Sequence, residues 1–258
     1  MEISDFSTGF FDLGGKNAIV TGGNTGLGRA FALALAKGGA NVFVPSIVDD
    51  DGTTGEQIER EGARYEFMLA DITEPGVPGS VVDACVERLG SLDILVNSAG
   101  ICPVAEVLDF DRAKWDATVA VNLTAAFEMS QEAAKRMVPQ RSGKIINICS
   151  VFTFLGGQLS PAYAATKHGI AGLTKAYCDE LAQHGIQVNG IAPGYYATAI
   201  TEGTRSNPET NRRVLEHIPA GRWGDPADLM GAVVFLASRA SDYVNGHVLS
   251  VDGGYLVR

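Results

Sequence analysis

Near the start of the chain a short apolar run, Lys16 to Thr21, passes directly into Thr21-Gly22-Gly23-Asn24-Thr25-Gly26-Leu27-Gly28. An apolar helical stretch, Gly26 to Lys37, follows and is closed by Gly38-Gly39. The order is strand, glycine-rich turn, helix, and few folds use it. Glycines at the turn let the backbone come close to a bound group. The helix behind it supplies free N–H donors and a partial positive charge, which suits a pyrophosphate. The paired glycines after Lys37 are what a helix C-terminus needs.

Strand-like and helical segments alternate through the rest of the chain. The strand-like runs are Asn41 to Ser46, Tyr65 to Ala70, Leu92 to Val96, Lys144 to Cys149, Ile186 to Ile191 and Val248 to Val251. Between them lie a helix over Val77 to Leu89, a long helix capped by Asp111 and stopped by Pro139, one following Ser160-Pro161, and one over Asp225 to Ala237. Asp49 to Gly55 reads as a polar loop. This alternation predicts an α/β fold: one doubly wound parallel sheet of about seven strands, with helices on both faces and a single dinucleotide-binding domain over residues 1–258.

In such a sheet ligands bind at the carboxyl ends of the strands, and the strand over Lys144 to Cys149 delivers Ser150 there. Downstream, Ser160 suits a helix N-cap and Pro161 the first helical position, which puts Tyr163 in the first turn and Lys167 one turn on, on the same face. An ammonium and a helix N-terminus both favour a phenolate. The sequence therefore predicts a Tyr163 pKa lowered from the usual ~10, in reach of proton exchange with a substrate hydroxyl or carbonyl.

Taken together, the glycine turn, Asn97-Ser98-Ala99-Gly100, Asn122, Ser150, Tyr163, Lys167 and Pro193-Gly194 resemble the short-chain dehydrogenase/reductase family, from about Gly15 to Gly254. The resemblance implies a catalytic set of Asn122, Ser150, Tyr163 and Lys167. Tyr163 would be the general acid/base, Ser150 the partner of the reacting oxygen, Lys167 a phenolate stabiliser that also holds the nicotinamide ribose, and Asn122 the support of a water relay. It implies cofactor contacts from Gly22, Asn24, Thr25, Gly26, Leu27 and Gly28 in the turn, and Ser46 after the second strand. Further contacts would come from Asp71 and Ile72 at the adenine, Asn97, Ala99 and Gly100 at the ribose, Tyr163 and Lys167, and Pro193, Gly194, Tyr196 and Thr198 at the carboxamide. Asp71 can also be read as a helix N-cap. Ser46 stands where NAD-type members carry an acidic residue, and Asp49 to Asp51 follow it without any cation near them. NAD is thus expected in preference to NADP, with Arg29 the one residue able to reverse that.

Residues 195–221 read as a lid, in which Arg205, Arg212 and Arg213 suit a small hydrophilic substrate. Ile218 to Gly224 and Ala240 to Gly246 look most like dehydrogenases of deoxy- or keto-gluconate type, so a sugar acid is expected. Because Gln158 and Leu159 offer no cation beside the pocket, a neutral sugar or polyol stays open, as do a 3-oxoacyl-thioester reductase and a non-enzymatic dinucleotide-binding regulator. The resemblance also implies a homo-oligomer, a tetramer pairing through the helices of Asn122 and Tyr163 and through the C-terminal segment.

The net charge of −10 opposes nucleic acid and anionic membrane surfaces as partners. Four cysteines, Cys85, Cys102, Cys149 and Cys178, have no CxxC spacing and read as reduced thiols of a cytoplasmic protein. Met1 to Asp12 has neither a cationic nor a long apolar run, so no leader is expected. His184, His217 and His247 lack ligand spacing, and no metal is expected. His168, beside Lys167, points about 100° away from it on a helix and is expected to be a packing or surface residue.

Overall fold

The computed structural model describes Asp5 and residues 7–258; the N-terminal leader reading lies partly outside these residues. Seven parallel strands form one sheet in the order β3-β2-β1-β4-β5-β6-β7. They are β1 (Asn17–Val20), β2 (Asn41–Ser46), β3 (Tyr65–Leu69), β4 (Ile94–Asn97), β5 (Gly143–Ile148), β6 (Ile186–Pro193) and β7 (Val248–Val251). The sheet grows outward from β1 to β3, then resumes on the other side of β1 with β4. A crevice therefore opens between the carboxyl ends of β1 and β4.

Side chains alternate across the sheet, and each face has its own core. Ala18, Val20, Val42, Val44 and Val96 meet Phe31 and Leu35 of α1 (Gly26–Lys37), Ile58 of α2 (Thr53–Arg60), and Val233 and Leu236 of α9 (Met230–Ala237). Ile19, Phe43, Leu95 and Ile145 meet Val81 and Cys85 of α3 (Val77–Leu89), Met129 and Met137 of α5 (Ala125–Gln140), and Leu181 of α6 (Pro161–Leu181). Each large apolar side chain buried this way stabilises the fold by roughly 1.5–3 kcal/mol. The site at the strand ends thus stands on a rigid platform.

Four local expectations are corrected. The helix predicted to run unbroken from Asp111 is instead α4 (Arg112–Val119), a π-helical turn over Ala120–Thr124, and then α5, which carries Pro139 within its last turn. Residues 53–55, read as loop, begin α2. Residues 225–237 form a 3-10 turn over Pro226–Leu229 before α9. The polar stretch after Thr198 is helical, with α7 (Glu202–Ser206) and α8 (Pro208–His217). In α8 Asn207 accepts hydrogen bonds from the Glu209 and Thr210 amides and Pro208 follows it, the chemistry of a helix start. Among the described residues no helix is long and apolar enough to cross a membrane.

Candidate active site

The glycine turn sits at the mouth of the crevice and is braced from both sides. Thr21 Oγ1 accepts hydrogen bonds from the Ser98 and Ala99 amides, both at 2.9 Å, tying the turn to the end of β4. The Gly22 amide donates to Pro45 O and Asn24 Nδ2 to Val48 O, tying it to the end of β2. Gly22 and Gly26 have φ of 64° and 51°, a region that side chains disfavour. Gly28 serves differently: a Cβ there would lie 2.3 Å from Gly22 O. Thr25, at the N-cap position of α1, makes no side-chain cap, so the first amides of α1 receive no bond from it. The buried Asn24 Oδ1 has no protein partner. Positive φ at Gly22 and Gly26, no room for a Cβ at Gly23 or Gly28, an uncapped helix start and a buried polar atom without a partner fit a dinucleotide, whose pyrophosphate Gly22 to Gly28 would hold.

The remaining cofactor candidates divide by what their side chains already do. Asn97 points into the sheet's second core face, where its Nδ2 donates to Ala126 O, Ser130 Oγ and Asn147 Oδ1; only its backbone faces the crevice. Tyr196 likewise packs its ring against Gly224 and donates its hydroxyl to Val251 O. Asp71 Oδ1 accepts from the Thr73 amide and hydroxyl, which hold the Asp71 carboxyl below its usual range. It closes a turn and caps no helix, and Oδ2 is unused by these contacts. Ile72 is buried beside it. Ser46 Oγ accepts from the Val48 amide, leaving Ile47 and Val48 exposed. Ala99 lies against Gly22, and Gly100 lies beside Lys167, 3.9 Å from a Cβ position to Nζ. Gly194 is pressed against Asp252 too closely for a side chain, directly after Pro193 at the end of β6. Thr198 accepts at its carbonyl from Arg205.

Ser150, Tyr163 and Lys167 meet at the ends of β5 and α6. The Lys167 Nζ donates to Ile148 O at 2.6 Å and lies 5.3 Å from the Tyr163 ring centroid. Thr153 Oγ1 accepts from the Ser150 amide and donates to Lys167 O, so one hydroxyl fixes the spacing of the serine and lysine backbones. Asn122, inside the π turn, accepts from the Ile101 amide at Oδ1 and donates from Nδ2 to Ile101 O and Thr166 Oγ1. That side chain pins the loop after β4 to α6. Ser160 occupies the N-cap of α6 without a capping bond and accepts instead from Cys102 Sγ.

The electrostatics reverse one expectation. Burial raises the Tyr163 pKa; the neighbouring Cys102 and Cys149 push the same way, and the Ser150 hydroxyl lowers it. Burial also lowers the Lys167 pKa. Both follow from desolvation of the charged form. The phenol of the ligand-free chain is therefore a held proton rather than a ready phenolate. Cys149, set beside Ser150, is pushed up to about 11 by burial and is an inert packing thiol. His168 uses Nδ1 on Ala164 O.

Sequence reasoning missed the structural roles of Thr21 and Thr153, and the aromatic row beyond Tyr163. Phe152 stands edge-on to both Tyr163 and Tyr195, with centroids 6.1 and 6.5 Å apart, and Tyr195 touches Trp223 and Tyr255. His217 of α8 closes on Tyr255 at 4.3 Å. The C-terminal stretch folds back on its own chain to supply Tyr255, through Ala220 N to Gly253 O and Arg258 to Glu216 O.

A parallel sheet with a glycine cradle at its switch point, and a desolvated Ser/Tyr/Lys set on the same edge, defines a dinucleotide-linked oxidoreductase. A family profile described as "Enoyl-(Acyl carrier protein) reductase" matches residues 22–256. The chain is 68% identical over 256 residues to the uncharacterized oxidoreductase YgcW of Escherichia coli K12, covering 99% of this chain and 98% of that protein. It is 46% identical over 250 residues to 2-dehydro-3-deoxy-D-gluconate 5-dehydrogenase of the same strain, covering 96% and 98%. A crystal structure of a putative 2-deoxy-D-gluconate 3-dehydrogenase from Agrobacterium tumefaciens with bound NADP superposes with a TM-score of 0.90, at 44% identity over 96% of this chain and 99% of the other. The chain belongs to the short-chain dehydrogenase/reductase family.

Proposed function

We propose that the chain is a nicotinamide-dependent dehydrogenase of a sugar acid of the deoxy- or keto-gluconate type, acting on a secondary alcohol or ketone. The observation that carries this is the meeting of half-buried Tyr163 with buried Ser150 and Lys167 beside the glycine cradle. The relatives named for gluconate derivatives support the substrate class.

Bound in the cradle, the nicotinamide cofactor supplies the hydride acceptor or donor. The chain supplies the rest. Ser150 Oγ, one strand end from the crevice, hydrogen-bonds the reacting oxygen and holds it against the Tyr163 hydroxyl. Tyr163 gives its proton to that oxygen in reduction and takes it back in oxidation. Lys167 stabilises the phenolate once the proton has moved, and its ammonium, beside Gly100, would hold the cofactor ribose. Residues 195–221 act as the lid that excludes water.

NAD is the preferred cofactor in this reading. The exposed side chains after β2 are Ile47 and Val48, followed by Asp49 to Asp51; Thr53 holds the Asp51 carboxyl below its usual range, with Arg29 adding a smaller pull. A 2′-phosphate there would face the carboxylates of Asp49 to Asp51, with Arg29 the one cation near them. The experiment is a panel of sugar acids, neutral polyols and acyl thioesters, each with NAD(H) and NADP(H), read by nicotinamide absorbance. Turnover confined to acyl thioesters would reject the substrate class, and a higher kcat/KM with NADP(H) would reject the cofactor preference.

A further inference from the structure

A six-carbon sugar acid reacting at Tyr163 carries its carboxylate several bonds farther along its carbon chain, so a cation farther along the pocket wall is what an acid would need. Gln158 and Leu159 offer none. Of the three lid arginines, two already pair with a carboxylate, though the buried Nε of Arg205 has no partner. Arg205 donates to Thr198 O and pairs with Glu202, and Arg212 pairs with Glu216 one turn along α8. Arg213 has neither carboxylate nor carbonyl partner among the described residues.

Its placement follows from the helix. Arg213 and His217 are four residues apart in α8 and share a face. His217 stacks on Tyr255, Tyr255 on Tyr195, and Tyr195 meets Phe152, which in turn meets Tyr163. The Arg213 guanidinium is also close enough to Tyr195 to pull its pKa down, against the burial that raises it. Arg213, exposed and without an ion pair among the described residues, therefore lies on the α8 face that carries His217 to the aromatic wall, whose Tyr195 is two ring contacts from the catalytic phenol.

Resting on the sugar-acid reading above, we propose that Arg213 is the residue that grips the substrate carboxylate and makes the enzyme select acids over their neutral counterparts. A guanidinium receives a carboxylate through two parallel N–H···O bonds, a geometry an ammonium does not reproduce. Because α8 belongs to the lid, the same contact draws the lid down over the bound acid.

The test compares wild type, Arg213→Gln, Arg213→Lys and the neighbouring Arg212→Gln on 2-dehydro-3-deoxy-gluconate or gluconate and on the corresponding amide. For Arg213→Gln the expected result is a KM for the acid raised about 10- to 100-fold with kcat changed less than threefold. KM for the amide and for the cofactor should stay within twofold. Arg213→Lys should recover part of the loss, and Arg212→Gln should match wild type. An acid KM moved less than threefold in Arg213→Gln, or equal losses on acid and amide, overturns the assignment while leaving the sugar-acid reading intact. Wild type that turns over neutral polyols but no sugar acid overturns both.

Discussion

Gly28→Ala tests the cofactor cradle through sterics alone, because the backbone at residue 28 has no positive φ. The added Cβ would lie 2.3 Å from Gly22 O and 2.9 Å from Gly22 C, and side-chain carbons essentially never approach closer than 3.0 Å. At least 0.7 Å (3.0 − 2.3) must be opened between the turn and the start of α1. Gly22 has no room to retreat: its amide is bonded to Pro45 O, its carbonyl accepts from Thr25, and its own Cα faces Ala99. The movement therefore falls on the amides that would hold the pyrophosphate. Misplacement of binding groups by about 1 Å costs on the order of 10²-fold. As affinity this is about 2.7 kcal/mol. The stability cost is smaller, about 1–3 kcal/mol for overpacking, offset by about 1 kcal/mol of helix propensity gained over glycine. Calorimetric titration with NAD(H), alongside a thermal melt, should show a Kd raised at least tenfold in a protein that still folds cooperatively. A folded Gly28→Ala chain that binds cofactor within threefold of wild type would refute the cradle.

Thr153→Val removes the hydroxyl shared by Ser150 and Lys167 and leaves two buried backbone groups without that partner, so kcat/KM should fall about tenfold and stability by roughly 1–3 kcal/mol; a melt and turnover both unchanged would count against it. Because Tyr163 holds its proton and its pKa is raised, ketone reduction should be fastest near neutrality and alcohol oxidation should still be rising at about pH 10, the ordinary phenol value; oxidation that levels off by about pH 8 contradicts the sign of the shift. Asp228, held down to about 2 by Arg222, gives stabilisation that is complete above its unfolded pKa near 3.8 and is lost as pH falls toward 2, so acid unfolding of Asp228→Asn should show a shallower pH dependence in that window. Light scattering should give a tetramer, through the apolar groove of about 640 Å³ lined by Phe127, Val138, Leu173 and Tyr177 on α5 and α6; a monomeric particle rejects it.

Features carried by local chemistry were legible in the sequence. The glycine turn, the alternating strands and the four-residue spacing of Tyr163 and Lys167 each follow from a few adjacent residues, and the sheet and site lie where those residues point. What depends on partners far along the chain was not. Thr153 acquires its role only because Lys167 O arrives from α6, and Thr21 because β4 ends beside it. The sign of the Tyr163 shift was missed for the same reason: helix dipole and lysine are local, whereas the burial that outweighs them is tertiary. Where the Asn97 side chain goes could have been read from the strand. It is two residues from Leu95 on the same strand, so period-2 alternation already turned it into the second core face. The π turn at Asn122 has no composition mark that distinguishes it from a continuous helix.

The most direct measurement on the site is single-turnover kinetics of Tyr163→Phe on a sugar acid, with cofactor affinity titrated in the same preparation. The Phe ring keeps the packing against Phe152 and the lysine while deleting the only proton the phenol holds. The expected result is a turnover rate reduced 10²- to 10⁴-fold with cofactor Kd within threefold of wild type. Retention of more than about a tenth of the wild-type rate, in a protein that binds cofactor normally, would contradict the assignment of Tyr163 as the acid and base of this site.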